Sequence, residues 1–110
     1  MAITVKASGS QAAILNTEHQ LVDTADLGTY ALLVNTTPLA RGETLELKLQ
    51  GKAASGGSYA VAFLEALAHA QSQPLFQSFH LLAPYGCRAT LKQIGGTGRT
   101  FEWALIRLDS

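Results

Sequence analysis

The stretch IGGTGRTFEW, residues 94–103, carries the residue types of a phosphate-binding loop: three glycines, a small hydroxyl residue, and a basic residue before Thr100. Loops of that kind turn backbone N–H groups onto a phosphate and add a cation. The spacing argues against it. In G-x-x-x-x-G-K-[ST], counted back from Gly98-Arg99-Thr100, the first glycine falls on Gln93, and Arg99 stands where lysine is required. The dinucleotide pattern G-x-G-x-x-G, started at Gly96 and Gly98, puts its third glycine on Phe101. The segment after the glycines, TFEWALIRL, is rich in β-formers and does not read as a helix. Both flanks alternate like strands, and glycines supply the positive φ of tight turns. Residues 88–108 therefore read as a β-hairpin with Gly95-Gly96-Thr97-Gly98 at its tip.

The other reactive residue types form no catalytic pattern. His19, His69 and His80 lack the i, i+4 spacing of a helical metal site, and there is no cysteine pair. Cys87, the single cysteine, stands at a strand start and reads as a small buried side chain. Ser8, Ser10, Ser55 and Ser58 lie in Gly/Ala-rich loops without a nucleophile elbow. Glu43 and Glu46 would lie on opposite sides of a strand and make no acid/base pair. We therefore expect no catalytic residue, metal ligand or cofactor. What remains is contact chemistry. Phe76, Phe79 and Tyr85 sit in a Pro-punctuated stretch, with Arg41, Arg88 and Arg99 as polar partners; interfaces favour these residue types. The aromatics either close the end of a core or stand out as anchors. Arg99, at the expected hairpin tip, is the best placed to reach outward. The candidate interface set is Arg41, Phe76, Phe79, Tyr85 and Arg99.

The elements that would position these residues are strands. Residues 1–12 are small and polar and read as a flexible or extended N-terminal arm, ahead of a domain spanning 13–110. Candidate strands also fall near residues 1–5 and 12–16. GTYALLVNT (28–36) is apolar on both faces, as in a central strand. In ETLELKLQGK (43–52), Leu45, Leu47 and Leu49 alternate with Glu46, Lys48 and Gln50, the pattern of a half-buried strand. YAVAFLEALAHAQ (59–71) is ambiguous, because its Ala and Leu content favours helix. We read it as a strand, since its neighbours are strands and a lone helix would need its own docking surface. CRATLKQIG and RTFEWALIRLD alternate in the same way, with Phe101 and Trp103 on one face. The sum is an all-β, antiparallel β-sandwich or jelly roll of about seven or eight strands. Trp103→Ala should cost about 3–5 kcal/mol if that ring is core.

Composition bounds the partners. A chain of 110 residues is one domain with one modest core. Lys plus Arg is 8 and Asp plus Glu is 8, so no excess charge points to nucleic acid or an anionic membrane. The charged fraction is 15%, below the roughly 25% of a typical soluble domain. A small neutral chain with so few charges tends to associate, which hints at burial against partner chains. The start, AITVKASGSQ, predicts no signal peptide, and YAVAFLEALAHA is too short and polar to span a membrane.

One resemblance is present. GTYALLVNTTPLARGETLELKL, the Ala70-Gln71 pair and YGCRATLKQIGGTGRTFEW together resemble a family of small structural proteins of tailed bacteriophages. The closing pattern L-K-Q-x-x-G-T-G-R-x-F-x-W runs from Leu91 to Trp103, and the likeness covers roughly residues 28–108. It marks fold, not chemistry. It implies a virion component made in the bacterial cytoplasm and incorporated into the particle. The leading expectation is a capsid decoration, or cement, protein on the capsid exterior. Its partners would be the major capsid protein and copies of itself, as a dimer or trimer. A head–tail connector, tail or spike component is the alternative. A ligand- or carbohydrate-binding module, using Gln71, Gln73 and Gln77 near Phe76, is the second.

Overall fold

In the computed structural model, residues 2–109 are described; Met1 and Ser110 lie outside them. Nine strands succeed one another: β1 (Ala2–Ala12), β2 (Glu18–Thr24), β3 (Gly28–Asn35), β4 (Thr44–Gly51), β5 (Ala60–Ala68), β6 (Leu75–Gln77), β7 (Leu81–Ala83), β8 (Cys87–Ile94) and β9 (Thr100–Asp109). They form two antiparallel sheets packed face to face. The first has the order β1-β9-β3-β6, with β7 also on β3. The second has the order β2-β8-β4-β5. β6 and β7 pair opposite ends of one edge of β3, so they fill a single strand position. Counted that way the two sheets hold eight positions in the strand order of a jelly roll.

The broken edge is bridged by Ser78. Its N–H donates to the Leu32 carbonyl at 2.9 Å, and its hydroxyl accepts the Leu32 N–H at 2.8 Å. The side chain thus replaces a missing ladder bond where the backbone turns away.

The period-2 pattern of β4 lands as its sequence requires. Leu45, Leu47 and Leu49 are fully buried between the sheets, facing Tyr30, Leu32 and Val34 of β3 and Phe101 and Leu105 of β9. Tyr30 keeps its polar tip satisfied by donating to the Asp26 carbonyl at 2.8 Å. Cys87 is buried in this core, and burial, with the charge of Asp23, pushes its thiol up to about 12. It is a packing residue. Trp103 packs against the core but is only partly buried, whereas Phe101 is fully enclosed. The larger stability penalty therefore belongs to Phe101.

Four sequence expectations meet this architecture. Residues 59–71 contain the strand β5, not a helix. Residues 2–12 are an edge strand paired with β9 from Ala2 opposite Asp109 to Ala12 opposite Thr100, so the arm is extended and built into the sheet. The stretch 12–16 contributes no strand of its own. The fourth expectation is overturned: residues 88–108 are not a hairpin. β8 pairs β2 and β4, while β9 pairs β1 and β3, so residues 95–99 arch from one sheet to the other. A turn and an arch both need left-handed glycines; here Gly95 and Gly96 have φ of 77° and 74°.

Candidate interaction surface

The glycine arch does bind an anion, and the anion is the chain's own. Glu43 is almost fully buried beneath it. Its carboxylate accepts the Ala40 N–H at 2.8 Å and the Thr97 N–H at 3.0 Å. Arg99 adds a forked contact, with Nε at 3.2 and 3.1 Å from the two oxygens and Nη2 at 3.0 Å from Oε2. A Cβ on Gly96 would collide with that carboxylate. Gln93 closes the arch from below: its amide donates to the Thr97 carbonyl at 2.7 Å and its oxygen accepts the Arg99 N–H at 2.9 Å. The residue that broke the phosphate-loop pattern is thus the one that shapes the turn.

This corrects one sequence reading and gives Glu43 a role that the sequence did not assign. Arg99 does not reach outward but is folded back onto Glu43. Glu43, set aside for want of a paired acid, is the hub of the arch. The Arg99 guanidinium, with the Ala40 and Thr97 N–H groups, holds its carboxyl down at about 2 against an ordinary 4.5. A depressed acid adds stability that is complete above the unfolded value and lost as pH falls through the folded one. The contribution of Glu43 should therefore drain away between pH 4.5 and about 2. Urea midpoints measured across that window should fall more steeply for the native chain than for Glu43→Gln. Parallel profiles would contradict the assignment.

The five candidate interface residues fall in separate places. Arg41 is exposed in the β3–β4 loop, at the same end of the sandwich as Arg99. Tyr85 is exposed in the β7–β8 loop, at the opposite end. Phe76 and Phe79 flank Phe63 of β5, with ring centroids at 6.1 and 4.7 Å, along one open side of the sandwich. Phe76 is half-buried there and offers no free platform to Gln71, Gln73 or Gln77. Gln71 is turned back onto the Ala68 and His69 carbonyls.

A polar groove of about 540 Å³ lies at the Tyr85 end, lined by residues that include Asp23, Lys52, Tyr59 and Arg88. The Tyr59 hydroxyl donates to Asp23 at 2.6 Å, and Lys52 and Arg88 stand 4.6 and 4.2 Å from its ring centroid. Burial, with the hydrogen bond and charge of Asp23, pushes the Tyr59 phenol up to about 12. Arg88 Nε is buried without a hydrogen-bond partner.

The feature the sequence pattern did not reveal is a difference between the two outer faces. Directly paired residues share a face. On the first sheet, register aligns Leu82, Thr29, Leu108 and Ile3 in one outward row and Ala31, Ile106 and Val5 in the next. Gln77, Leu33, Ala104 and Ser8 form a third row, and Leu75, Asn35, Glu102 and Ser10 a fourth. Glu102 is the one charge among these rows. Leu82 is 77% exposed and Ile3 67%, with Val5 and Leu75 also more than half exposed. The outer face of the second sheet carries the charges instead. Glu18, Lys92 and Glu46 share a row, Asp23 and Arg88 share another, and Lys48 reaches Glu18 at 3.1 Å.

Comparison with family models, with curated proteins and with solved structures gave no match. The functional reading rests on this surface.

Proposed function

We propose that this chain is a structural component of a bacteriophage particle, a non-enzymatic decoration protein that binds the outside of the shell formed by the major capsid protein. It is made in the host cytoplasm and carried on the capsid exterior, as a dimer or trimer. One observation carries the reading: the sandwich has a charged outer face and a nearly charge-free one. A decoration protein needs both, one to meet solvent and one to dock.

The dimensions fit this role. The molecule measures 40 × 29 × 19 Å, so a broad face offers on the order of 1,000 Å², against about 800 Å² per partner in a standard stable interface. Leu82, Ile3, Val5 and Leu75 put exposed apolar side chains on this face, and exposed apolar clusters on small proteins mark interaction sites. Ile3 and Val5 bring the N-terminal strand onto this face, which gives residues 2–12 a contact role through side chains. A protein that binds only the assembled shell stabilises it by mass action, and many copies on a lattice add avidity.

Jelly rolls serve as viral capsid domains and as lectins alike, so the fold is an analogy and not an argument. The charge-poor face, with Leu82, Ile3, Val5 and Leu75 exposed on it, favours a protein partner over a sugar, which would be bound by convergent polar groups. Densitometry of purified particles tests the reading. Hundreds of copies per particle are expected; about a dozen would indicate a connector ring instead, and none would sink the proposal.

A further inference from the structure

The two sheets leave their outermost strands unpaired, and a bare strand edge is a template for another chain. Three of the four edges are blunted. β1 bulges between Val5 and Ala7, where Lys6 pairs with Asp26, and beyond the bulge it consists of Ala, Ser and Gly with Gln11. β2 bulges between Gln20 and Val22 and carries Glu18 and Asp23. The edge opposite β1 is broken into the three-residue strands β6 and β7.

β5 is different. It bulges at Ala62, opposite the step from Leu49 to Gln50, but from Phe63 to Ala68 its ladder to β4 is unbroken. No described strand pairs its other side. Seven of its nine residues are exposed, Leu64 and Val61 among them, and Glu65 is its only charge. Its composition favours helix, yet one neighbour alone holds it extended. A second ladder on the free side would satisfy the unpaired backbone groups of β5 and cover its apolar side chains.

We propose that β5 pairs antiparallel with β5 of a second copy of this chain, about a twofold axis at Leu64. The residue pattern selects both the occupant and the register. AVAFLEALA reads nearly the same in both directions about Leu64: Ala62 meets Ala66 of the other copy, Phe63 meets Glu65, and Leu64 meets its own counterpart. An axis on Glu65 would set two carboxylates face to face, which is destabilising. With the axis on Leu64 the single charge of each copy lies opposite an apolar ring, at the exposed side of the sandwich. The pairing joins two four-stranded sheets into one of eight strands. It leaves the charge-poor face of the other sheet free in both copies. The inference rests on the self-association part of the proposed function and is independent of what that face binds.

Cysteine crosslinking in solution tests it without any shell. Residues paired across an antiparallel twofold lie about 4.5–5.5 Å apart at Cα, within the span a disulfide bridges. Leu64→Cys should give a disulfide-linked dimer under mild oxidation, and Ile14→Cys, on a loop and at least as exposed, should not. Cys87 is buried and serves as a silent background. Leu64→Lys, which sets two ammonium groups together, should weaken self-association by roughly tenfold or more in sedimentation equilibrium. Because the site is exposed, this variant keeps its fold. Crosslinking of Leu64→Cys no faster than Ile14→Cys, or a native chain that stays monomeric at ~100 µM, in the range where weak strand-edge pairs form, would overturn the inference. Loss of particle binding with crosslinking intact would instead count against the shell reading alone.

Discussion

Phe101→Ala should destabilise the fold by about 3–5 kcal/mol, more than Trp103→Ala, whose ring is only partly buried. Phe101 is fully buried and opens β9 directly after the arch, where it packs into the cluster formed by β3, β4 and β8. Removing the ring deletes its transfer free energy and leaves a cavity that a strand pinned on both sides cannot close. β9 is pinned in that way, by β1 and by β3. At roughly 4–8 °C of melting temperature per kcal/mol for a domain near this size, the loss is on the order of 12–40 °C. Domains of this kind hold about 5–15 kcal/mol in total, so much of the margin disappears. Trp103→Ala should cost less, because solvent already reaches part of the indole. Calorimetry of the two variants orders them; a Trp103→Ala loss exceeding that of Phe101→Ala would place the core elsewhere.

The second large effect is on binding and leaves folding nearly untouched. Ile3→Asp combined with Leu82→Asp puts two carboxylates at opposite ends of one outward row of the charge-poor face. Both side chains are highly exposed, so the folded chain should change by no more than about 0.5 kcal/mol per site. In a docked complex the same two positions are desolvated. Each would forfeit about 1.5–3 kcal/mol of apolar burial and leave an uncompensated carboxylate. The expected outcome is at least a hundredfold weaker attachment to particles, read by cosedimentation, with an unchanged melting curve. The matched control is Glu46→Gln with Lys92→Gln on the opposite face, which should attach normally. Equal attachment of both double variants would dismiss the charge-poor face as the docking surface.

Much of the fold was legible in the sequence because burial in a strand is written with period two. Leu45, Leu47 and Leu49 announce which side of β4 faces inward, and Ala89, Leu91 and Phe101 do the same for β8 and β9. Alternation does not say which sheet a strand joins. The hairpin reading of 88–108 failed for that reason, since left-handed glycines serve a tight turn and an inter-sheet arch equally well. The signal that separates them is long-range: a buried Gln93 and a buried Glu43, polar residues at inward positions that make sense only when the arch closes over them. A glutamate preceding a strand looks like a solvated end until Arg99 is brought beside it. β1 was obscured by its own composition. Its extended form comes from backbone pairing with β9, where Gly9 lies opposite Trp103, and not from side-chain propensity.

The charge-poor face was hidden for the same physical reason. Ile3, Leu82 and Leu108 are distant in the chain, and only the register of β1, β9, β3 and β7 brings them into one row. Low overall charge hinted that some surface is covered; it could not say which. The aromatic set Phe76, Phe79 and Tyr85 drew attention by residue type, yet it is split between an open side and one end of the sandwich.

The proposed shell-binding role is most directly tested by high-resolution imaging of purified particles of the phage to which the proposal assigns this chain. We expect density for hundreds of copies on the capsid exterior, with the row Leu82–Thr29–Leu108–Ile3 against the shell and the charged sheet turned to solvent. A single ring at one vertex, absence from the particle, or attachment through the charged sheet would contradict it.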